Sequence, residues 1–240
     1  MMDSPNGNQV CSPNPFLRAW AWKREHRPDR DRFHRPYGYK LKTGGLLHDL
    51  VIHQSPFKNT GFASTVWDSA IVLSKYLEKW PHIVGEKDCI ELGAGCGLPG
   101  IVAAYLGASS VRLTDFPENL DLLQRNVIAN KMQKTVSVIP LVWGNRSELL
   151  SGPFDLVIAT DVMYCVEVVD SLLNTFKMLS GPDTIILLAY GRNRQAEQAF
   201  LEKARFNFLI KQVSNEELDD VYQCIDVDVL ELRLKNSILS

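Results

Sequence analysis

The chain has 240 residues, of which 45% are hydrophobic and 22% charged, and its formal net charge at pH 7 is −2. This composition predicts one domain with a sizeable core plus an extension, and the near-neutral charge gives little support for a nucleic-acid-binding protein. No apolar run approaches the length of a membrane-spanning helix, and the polar start lacks the apolar core of a secretory signal. We therefore expect a soluble protein of the cytoplasm, with the nucleus as a second compartment.

The cysteines give no indication of a metal site or a disulfide framework. They are scattered, form no Cys-x-x-Cys pair and match no histidine spacing of a zinc site: Cys11, Cys89, Cys96, Cys165 and Cys224. The sequence therefore predicts no metal ligands and a reducing, intracellular compartment.

The first part of the chain is rich in residues that do not build a core. Pro, Asn and Ser crowd residues 1–15 and predict disorder. The aromatic residues that follow, Phe16, Trp20 and Trp22, can begin a helix that docks on the domain.

A basic run comes next, at residues 23–42. It carries eight Lys or Arg against three Asp or Glu, a net charge of +5, which leaves −7 on the rest of the chain. Such a run is either a solvated extension or a contact for an acidic partner surface, and the sequence leaves both interpretations open. We place the extension at residues 1–45 and the domain at 46–240.

The domain alternates strand-like and helix-like segments. Residues 49–53 (DLVIH) predict a strand, and Asp68 is expected to cap a helix that ends at Lys79. Five short apolar runs then have the near-continuous hydrophobicity of strands in a buried parallel sheet: CIEL, VRLTD, VSVIPLVW, FDLVIATD and TIILLAY. Pro99 and Pro117 suit the first turns of two intervening helices. The repeated strand–helix order predicts an α/β, doubly wound sheet.

The last two strand-like segments have no helix between them. FNFLIKQV at residues 206–213 and CIDVDVLELRL at 224–234 are separated by an acidic loop. We expect these segments to form an antiparallel hairpin that extends the sheet.

A glycine-rich loop, ELGAGCGLPG at residues 91–100, follows the first central strand. Its glycines lie at positions 93, 95 and 97, and position 98 is Leu, so the third glycine of a dinucleotide fingerprint is missing. A P-loop would require Gly-Lys-Ser/Thr, which is also missing here. Glu91, two residues before Gly93, suits a ligand with a positively charged amine better than one with a pyrophosphate.

The second central strand ends in another acid. Asp115 lies 22 residues after Gly93, where a carboxylate can accept hydrogen bonds from both ribose hydroxyls. Adenosine together with an amine describes S-adenosylmethionine, whose demethylated product is S-adenosylhomocysteine. Asp115 would serve NAD equally well, but the glycine spacing disfavours NAD.

Four blocks in order, TVWDSAIVLSKYLEK, ELGAGCGLPGIVAAYLGA, LVWGN and FDLVIATDVMY, make residues 49–234 resemble the methyltransferase-like family 16. Its members are protein-lysine methyltransferases with a seven-stranded, Rossmann-like class I sheet. The resemblance implies a site for S-adenosylmethionine in which each residue has a place. Trp67 packs beside the cofactor, Gly93, Ala94 and Gly95 line its methionine end, Asp115 holds the ribose, Trp143 flanks the adenine, and the Thr160 backbone contacts it. A single tryptophan is usually a core residue, but the place of both at the carboxyl edge of the sheet favours the cofactor instead.

The chemistry is expected at the end of the fourth central strand, in ATDVMY. A methyl group on a sulfonium is already activated, so the enzyme must align a nucleophile that has a free lone pair. For lysine, with a pKa of about 10.4, deprotonation at pH 7 costs about 5 kcal/mol. Asp161 can recruit and orient the ammonium, and Tyr164 can line a narrow channel. The Asp-x-x-Tyr pattern matches the family's motif, which implies that both residues are needed for activity.

Several alternatives remain open at this stage. Asp161 could instead cap the following helix, and Asn126 on the helix after Asp115 is read as solvated or locally bonded. The protein could act on a small molecule or an RNA, or bind the cofactor without turnover. We expect a monomeric enzyme acting on a protein, without membrane or nucleic acid. The resemblance implies a chaperone, an AAA ATPase or a translation factor as the target class.

Overall fold

The computed structural model describes residues 35–55, 65–144, 152–191 and 196–235. The predictions made for residues 1–34, which include the disordered start, the helix at Phe16 and most of the basic run, lie outside the described residues. Within the described ranges, no helix has the length and hydropathy needed to cross a membrane. The same ranges contain no group of His, Cys, Asp or Glu that could hold a metal ion.

The first described elements form an antiparallel hairpin, β1 (Tyr37–Thr43) and β2 (Leu46–Ile52). β2 contains most of the predicted strand at residues 49–53, whereas β1 was not predicted and forms part of the assigned extension. In β1, Tyr39 and Leu41 are 2% and 0% exposed and join the core, while Lys40 and Lys42, which alternate with them, are exposed. Residues 37–43 therefore pack on the domain, and the predicted boundary at residue 45 falls in the hairpin turn.

The other seven strands form one mixed sheet in the order β5-β4-β3-β6-β7-β9-β8. β3 to β7 are parallel to one another, whereas β9 is antiparallel to both β7 and β8. This arrangement confirms the predicted doubly wound sheet and its terminal hairpin. The strands are β3 (Asp88–Leu92), β4 (Ser110–Asp115), β5 (Val136–Pro140), β6 (Phe154–Thr160), β7 (Ser180–Gly191), β8 (Phe208–Gln212) and β9 (Val227–Leu234).

Helices cover both faces of the sheet, so its strands are buried on two sides. The first three helices share a core with Cys89, Leu113 and Ile158, and the last two share a core with Ile90, Val157 and Ala159 on the other face. This explains the near-continuous apolar runs in the sequence. The helices are α1 (Asp68–Lys79), α2 (Leu98–Tyr105), α3 (Leu120–Ala129), α4 (Val169–Leu179) and α5 (Glu197–Asn207).

The helix ends agree with most of the local signals. Pro99 lies in the first turn of α2, Pro117 opens a short 3-10 helix before α3, and Gly107 after α2 has a φ of +97°. The prediction that Asp68 caps α1 was wrong. Trp67 is the N-cap and Asp68 is the first helical residue, where its negative charge favours the helix dipole instead.

The strand order reverses direction between β3 and β6. From β3 the chain proceeds to β4 and β5 on one side, and β6 then returns to pair with the opposite edge of β3. Ligands in doubly wound sheets bind at such a reversal, beyond the carboxyl ends of the strands. The ends of β3, β4 and β6 carry the glycine-rich loop, Asp115 and Asp161, respectively.

Candidate active site

The glycine-rich loop follows β3 and is hydrogen-bonded to the end of β4, the neighbouring strand. Ala94 donates its backbone N–H to Thr114 O at 2.9 Å, and Gly95 donates to Asp115 Oδ2 at 2.8 Å. Gly93 and Gly95 have φ values of +60° and +55°, a region that residues with a Cβ rarely adopt. The spacing of the glycines therefore matches a tight turn at the carboxyl edge of the sheet, in which Gly93 is half-buried and Gly95 is buried.

Gly93 also lies against two other parts of the site. A Cβ at this position would be 3.1 Å from Val162 Cγ1 and 3.2 Å from Trp143 Cζ2. A side chain at position 93 would therefore displace the tryptophan ring and the segment that follows β6. The end of β3, Trp143 and Val162, the neighbour of Asp161, therefore lie close together.

Asp115 is 6% exposed, and its carboxylate already accepts three hydrogen bonds. Oδ1 accepts from Phe116 N and Asn119 Nδ2, both at 2.7 Å, while Oδ2 accepts from Gly95 N. Because each carboxylate oxygen can accept about two hydrogen bonds, Oδ2 retains capacity for a ligand hydroxyl. Burial raises the pKa of Asp115, and the three hydrogen bonds oppose that shift. The arrangement fits the ribose-binding role implied for this residue.

Glu91 is completely buried beneath the loop. Its Oε2 accepts a hydrogen bond from Gly100 N at 2.8 Å at the start of α2, and its Oε1 has no hydrogen-bond partner among the described residues. Burial raises the pKa of Glu91 to about 8, the Gly100 contact opposes this shift, and the charge of Asp115 adds to it. The carboxylate thus supports α2, and direct contact with the cofactor amine stays a prediction.

Two predicted site residues, Trp143 and Tyr164, have neighbouring aromatic rings. The rings of Trp143 and Tyr164 lie 6.1 Å apart between centroids at an angle of 42°. Burial raises the pKa of Tyr164 to about 12, and the negative charge of Asp115 contributes to the shift. The phenol hydroxyl is therefore neutral at physiological pH and lies within electrostatic reach of Asp115. Tyr164 is therefore near both Trp143 and Asp115.

Asp161 follows β6 with a φ of +53°, a strained conformation that is rare for residues other than glycine. Its Oδ2 accepts a hydrogen bond from Ser69 Oγ at 2.5 Å, and its Oδ1 accepts from Gly191 N at 3.0 Å. The alternative that Asp161 caps a helix was wrong. The N-cap of the next helical segment is Cys165, and Asp161 makes its contacts with α1 and the end of β7 instead.

The two remaining predicted site residues, Thr160 and Trp67, lie near the carboxyl end of β6. Thr160 is the last residue of β6 and pairs with Ala189 of β7. Trp67 is the N-cap of α1, two residues before the Ser69 that contacts Asp161. Their contacts with a cofactor remain predictions.

Three supporting residues were missed by the sequence interpretation. Ser69 and Asn119 contact Asp161 and Asp115 directly. Asn126, interpreted as solvated or locally bonded, is instead completely buried and binds His53 and Cys96. A polar residue among the apolar positions of an amphipathic helix was the available signal for Asn126, since α3 buries Leu122, Leu123 and Val127 beside it.

Comparison with known families identifies the chain. A family described as "Lysine methyltransferase" matches residues 47–207, about two thirds of the chain. The chain belongs to this family. Among curated relatives, the protein N-lysine methyltransferase METTL21A of Danio rerio is 38% identical over 73% of the chain and 81% of its own length. EEF1A lysine methyltransferase 3 of Xenopus tropicalis is 37% identical over 59% of the chain and 63% of its length.

Solved structures support the fold of this lysine methyltransferase. The 16S rRNA methyltransferase RsmC of T. Thermophilus, in complex with AdoMet and guanosine, has a TM-score of 0.59 and 17% identity, covering 84% of this chain and 51% of its own. A TehB-like SAM-dependent methyltransferase from Corynebacterium glutamicum has a TM-score of 0.52 and 16% identity, covering 65% and 88%. At these identities the likeness concerns the Rossmann-like fold. The predicted enzyme class, family and methyl donor, S-adenosylmethionine, are confirmed.

Proposed function

We propose that this enzyme transfers methyl groups from S-adenosylmethionine to one lysine of a folded cytoplasmic protein, with Asp161 as the group that binds the substrate ammonium. The observation that carries the proposal is the Asp161 carboxylate, whose oxygens are bonded to Ser69 of α1 and to the backbone of Gly191. The residue after Asp161, Val162, packs against Gly93 of the cofactor loop. A fixed negative charge therefore lies beside the loop that holds the methyl donor.

The described residues fit the parts of S-adenosylmethionine. Asp115 has acceptor capacity for ribose hydroxyls, the Gly93–Gly95 backbone would lie along the methionine end, and Trp143 and Tyr164 offer ring faces. When bound, the cofactor supplies a methyl group on a positively charged sulfur. The buried carboxylate of Asp115 lies in this region and Asp161 follows the end of β6, so the site favours a cationic ligand over a pyrophosphate.

Asp161 would act by orienting the target amine rather than by removing its proton. A carboxylate beside an ammonium favours the charged form and raises its pKa, which by itself opposes methyl transfer. Its benefit is alignment, because fixing the nucleophile in line with the donor removes much of the entropic part of the barrier. Apolar surroundings lower the pKa of an amine, and water can then accept the proton.

Tyr164 would form a wall of the lysine channel. Its raised pKa keeps the hydroxyl protonated, so it can donate a hydrogen bond but carries no negative charge at neutral pH. The face of its ring can also contact the ammonium through a cation–π interaction. We expect the ring to contribute more than the hydroxyl, so Tyr164→Phe should be milder than removal of the Asp161 charge.

The target class is inferred from the relatives and from charge. One relative is named for the lysine methylation of EEF1A, which makes a translation elongation factor the first candidate, followed by chaperones and AAA ATPases. The protein would act as a monomer, without nucleic acid or membrane, and the basic run at residues 23–42 would contact an acidic surface of the target.

A direct test presents the enzyme with purified candidates. Methyl-labelled S-adenosylmethionine is incubated with an elongation factor, a chaperone, an AAA ATPase and total RNA, each with and without enzyme. The proposal predicts label in one folded protein, located on a lysine by mass spectrometry, and lost when that protein is heat-denatured. Label in RNA, or label on a residue other than lysine, would reject the proposed substrate.

A further inference from the structure

The side chain of Asn126 connects the N-terminal hairpin, formed by β1 and β2, to the glycine-rich loop. This residue lies on α3 and is 0% exposed. Its Oδ1 accepts a hydrogen bond from His53 N at 2.7 Å, and its Nδ2 donates to His53 O at 3.1 Å. The same Nδ2 donates to Cys96 O at 2.9 Å, between Gly95 and Gly97 of the loop. One amide thus uses one acceptor and two donors to join the two segments.

The orientation of this amide is determined by its surroundings. Oδ1 faces an N–H group, while Nδ2 faces two carbonyl oxygens. Exchanging the nitrogen and oxygen would place donor against donor and acceptor against acceptor in a site closed to water. The three contacts are therefore mutually consistent, and removal of the side chain would delete the hydrogen bond that the buried Cys96 carbonyl accepts from Asn126.

Asn130, one turn further along the chain, provides a natural comparison. Its Oδ1 accepts from Val51 N at 3.0 Å and its Nδ2 donates to Val51 O at 2.9 Å. Its second donation goes to Asn126 O at 2.8 Å rather than to the loop. Both asparagines therefore bind the hairpin in the same way, but Asn126 also binds the cofactor loop.

The paired spacing has a simple geometric basis. Four residues of helix rise about 6 Å, and two residues of strand extend about 6.6 Å. The side-chain amides of Asn126 and Asn130 can therefore bond to His53 and Val51, respectively. These two backbone positions lie on the edge of β2 that does not pair with β1, His53 being the residue after the strand ends. The two amides supply the hydrogen bonds that a neighbouring strand would supply, and they fix the position of the hairpin relative to α3.

We propose that Asn126 is a positioning residue for the cofactor, through which the hairpin and the glycine-rich loop stabilise each other. The Cys96 carbonyl accepts a hydrogen bond from Asn126. The two preceding residues of the loop, Ala94 and Gly95, donate their backbone N–H groups to the end of β4. Loss of the Asn126 contact leaves one side of the loop unsupported. Because coupling between two binding events is reciprocal, a ligand in the loop must also stabilise the hairpin contact at His53.

The first test compares two alanine variants by calorimetric titration with S-adenosylhomocysteine. Asn126→Ala is expected to raise Kd about tenfold or more, which corresponds to about 1.4 kcal/mol. Asn130→Ala should change Kd by less than about threefold, although both variants lower the melting temperature by loosening the hairpin. Transfer by Asn126→Ala in a single turnover at saturating cofactor should approach the wild-type rate, which separates a binding defect from a catalytic one.

Equal changes in Kd for the two variants would overturn the proposal, because the defect would then come from the hairpin alone. No change in either variant would overturn it as well. If Asn126→Ala does not fold, hydrogen exchange in the wild-type enzyme decides the question. S-adenosylhomocysteine should slow exchange of the His53 amide along with the amides of residues 93–97. Protection confined to the loop would contradict the proposed coupling.

Discussion

Ser69 Oγ donates a hydrogen bond of 2.5 Å to Asp161 Oδ2 and thereby joins the first turn of α1 to the end of β6. Ser69 is only 1% exposed and Asp161 is half-buried, so this contact is partly shielded from water. The other carboxylate oxygen accepts from Gly191 N at the end of β7. The direction of the Asp161 carboxylate is therefore set by two neighbouring elements, and a substrate ammonium would meet a charge whose position is already determined.

Removing the Ser69 hydroxyl should impair transfer while leaving the fold intact. Ser69→Ala deletes a hydrogen bond to a charged group, and a loss of about 1.5 kcal/mol would lower the single-turnover rate about tenfold. Ser74→Ala is the matched control, because Ser74 is also buried on α1 but donates to the backbone of Ala70. Equal rates for the two variants would mean that Ser69 does not position Asp161.

Asp115 should decide affinity for the cofactor. We expect S-adenosylmethionine or S-adenosylhomocysteine to raise the melting temperature and NAD to leave it unchanged. Asp115→Ala should weaken binding by about 1 to 3 kcal/mol, because a charged acceptor for the ribose is lost. The melting curve of each variant with ligand is compared with the curve of the same variant without ligand. Asp121→Ala is the control, because Asp121 is an exposed acid in the first turn of α3. A thermal shift with NAD alone would refute the cofactor assignment.

Glu91 should make the ligand-free enzyme less stable as pH rises. Its pKa is raised to about 8 in the folded protein, above the value of about 4.3 expected in the unfolded chain. Between these two values the folded state retains a proton that the unfolded state has lost, so the free energy of unfolding decreases with increasing pH. Glu91→Gln should flatten this slope between about pH 5 and pH 8. An unchanged slope in urea titrations would show that Glu91 is already ionised when folded.

The basic run should affect the protein target rather than the cofactor. Because β1 begins at Tyr37 and buries Tyr39 and Leu41 in the core, a deletion must end before this strand. Removal of residues 1–34 deletes five of the run's eight Lys or Arg and all three of its acids, so it lowers the net charge of the run from +5 to +3. It should weaken target methylation at low salt by slowing association, with Kd for S-adenosylhomocysteine unchanged. Equal methylation by the two forms at low salt would identify the run as a solvated extension.

The sheet was predictable because its strands are buried on both faces. Runs such as Phe154–Thr160 are apolar almost throughout, and the helices between them carry proline and glycine at their ends. β1 was missed because most of it was assigned to the basic run at residues 23–42, although Tyr39 and Leu41 alternate with Lys40 and Lys42 as in a half-buried strand.

The site was predictable only where one segment carries the signal. The glycine loop and Asp115 are adjacent to their strands, so their shared edge follows from the fold. The interpretation of Asp161 as a helix cap failed because the actual cap, Cys165, lies four positions further along the chain. Ser69 and Asn126 could not be assigned because their partners, Asp161 and His53, are 92 and 73 residues away in sequence.

The central claim, that the Asp161 charge directs methyl transfer to lysine, is tested most directly with Asp161→Asn. Asn tolerates positive φ and can retain polar contacts with Ser69 and Gly191, so melting and cofactor binding should remain close to wild type. Single-turnover transfer to the identified lysine should fall about tenfold to a hundredfold, because a charge-assisted contact of about 1.5 to 3 kcal/mol is lost. Asp170→Asn, at an exposed ion pair with Lys203, is the control and should be fully active. An Asp161→Asn enzyme that binds cofactor normally and methylates that lysine at the wild-type rate would contradict the account.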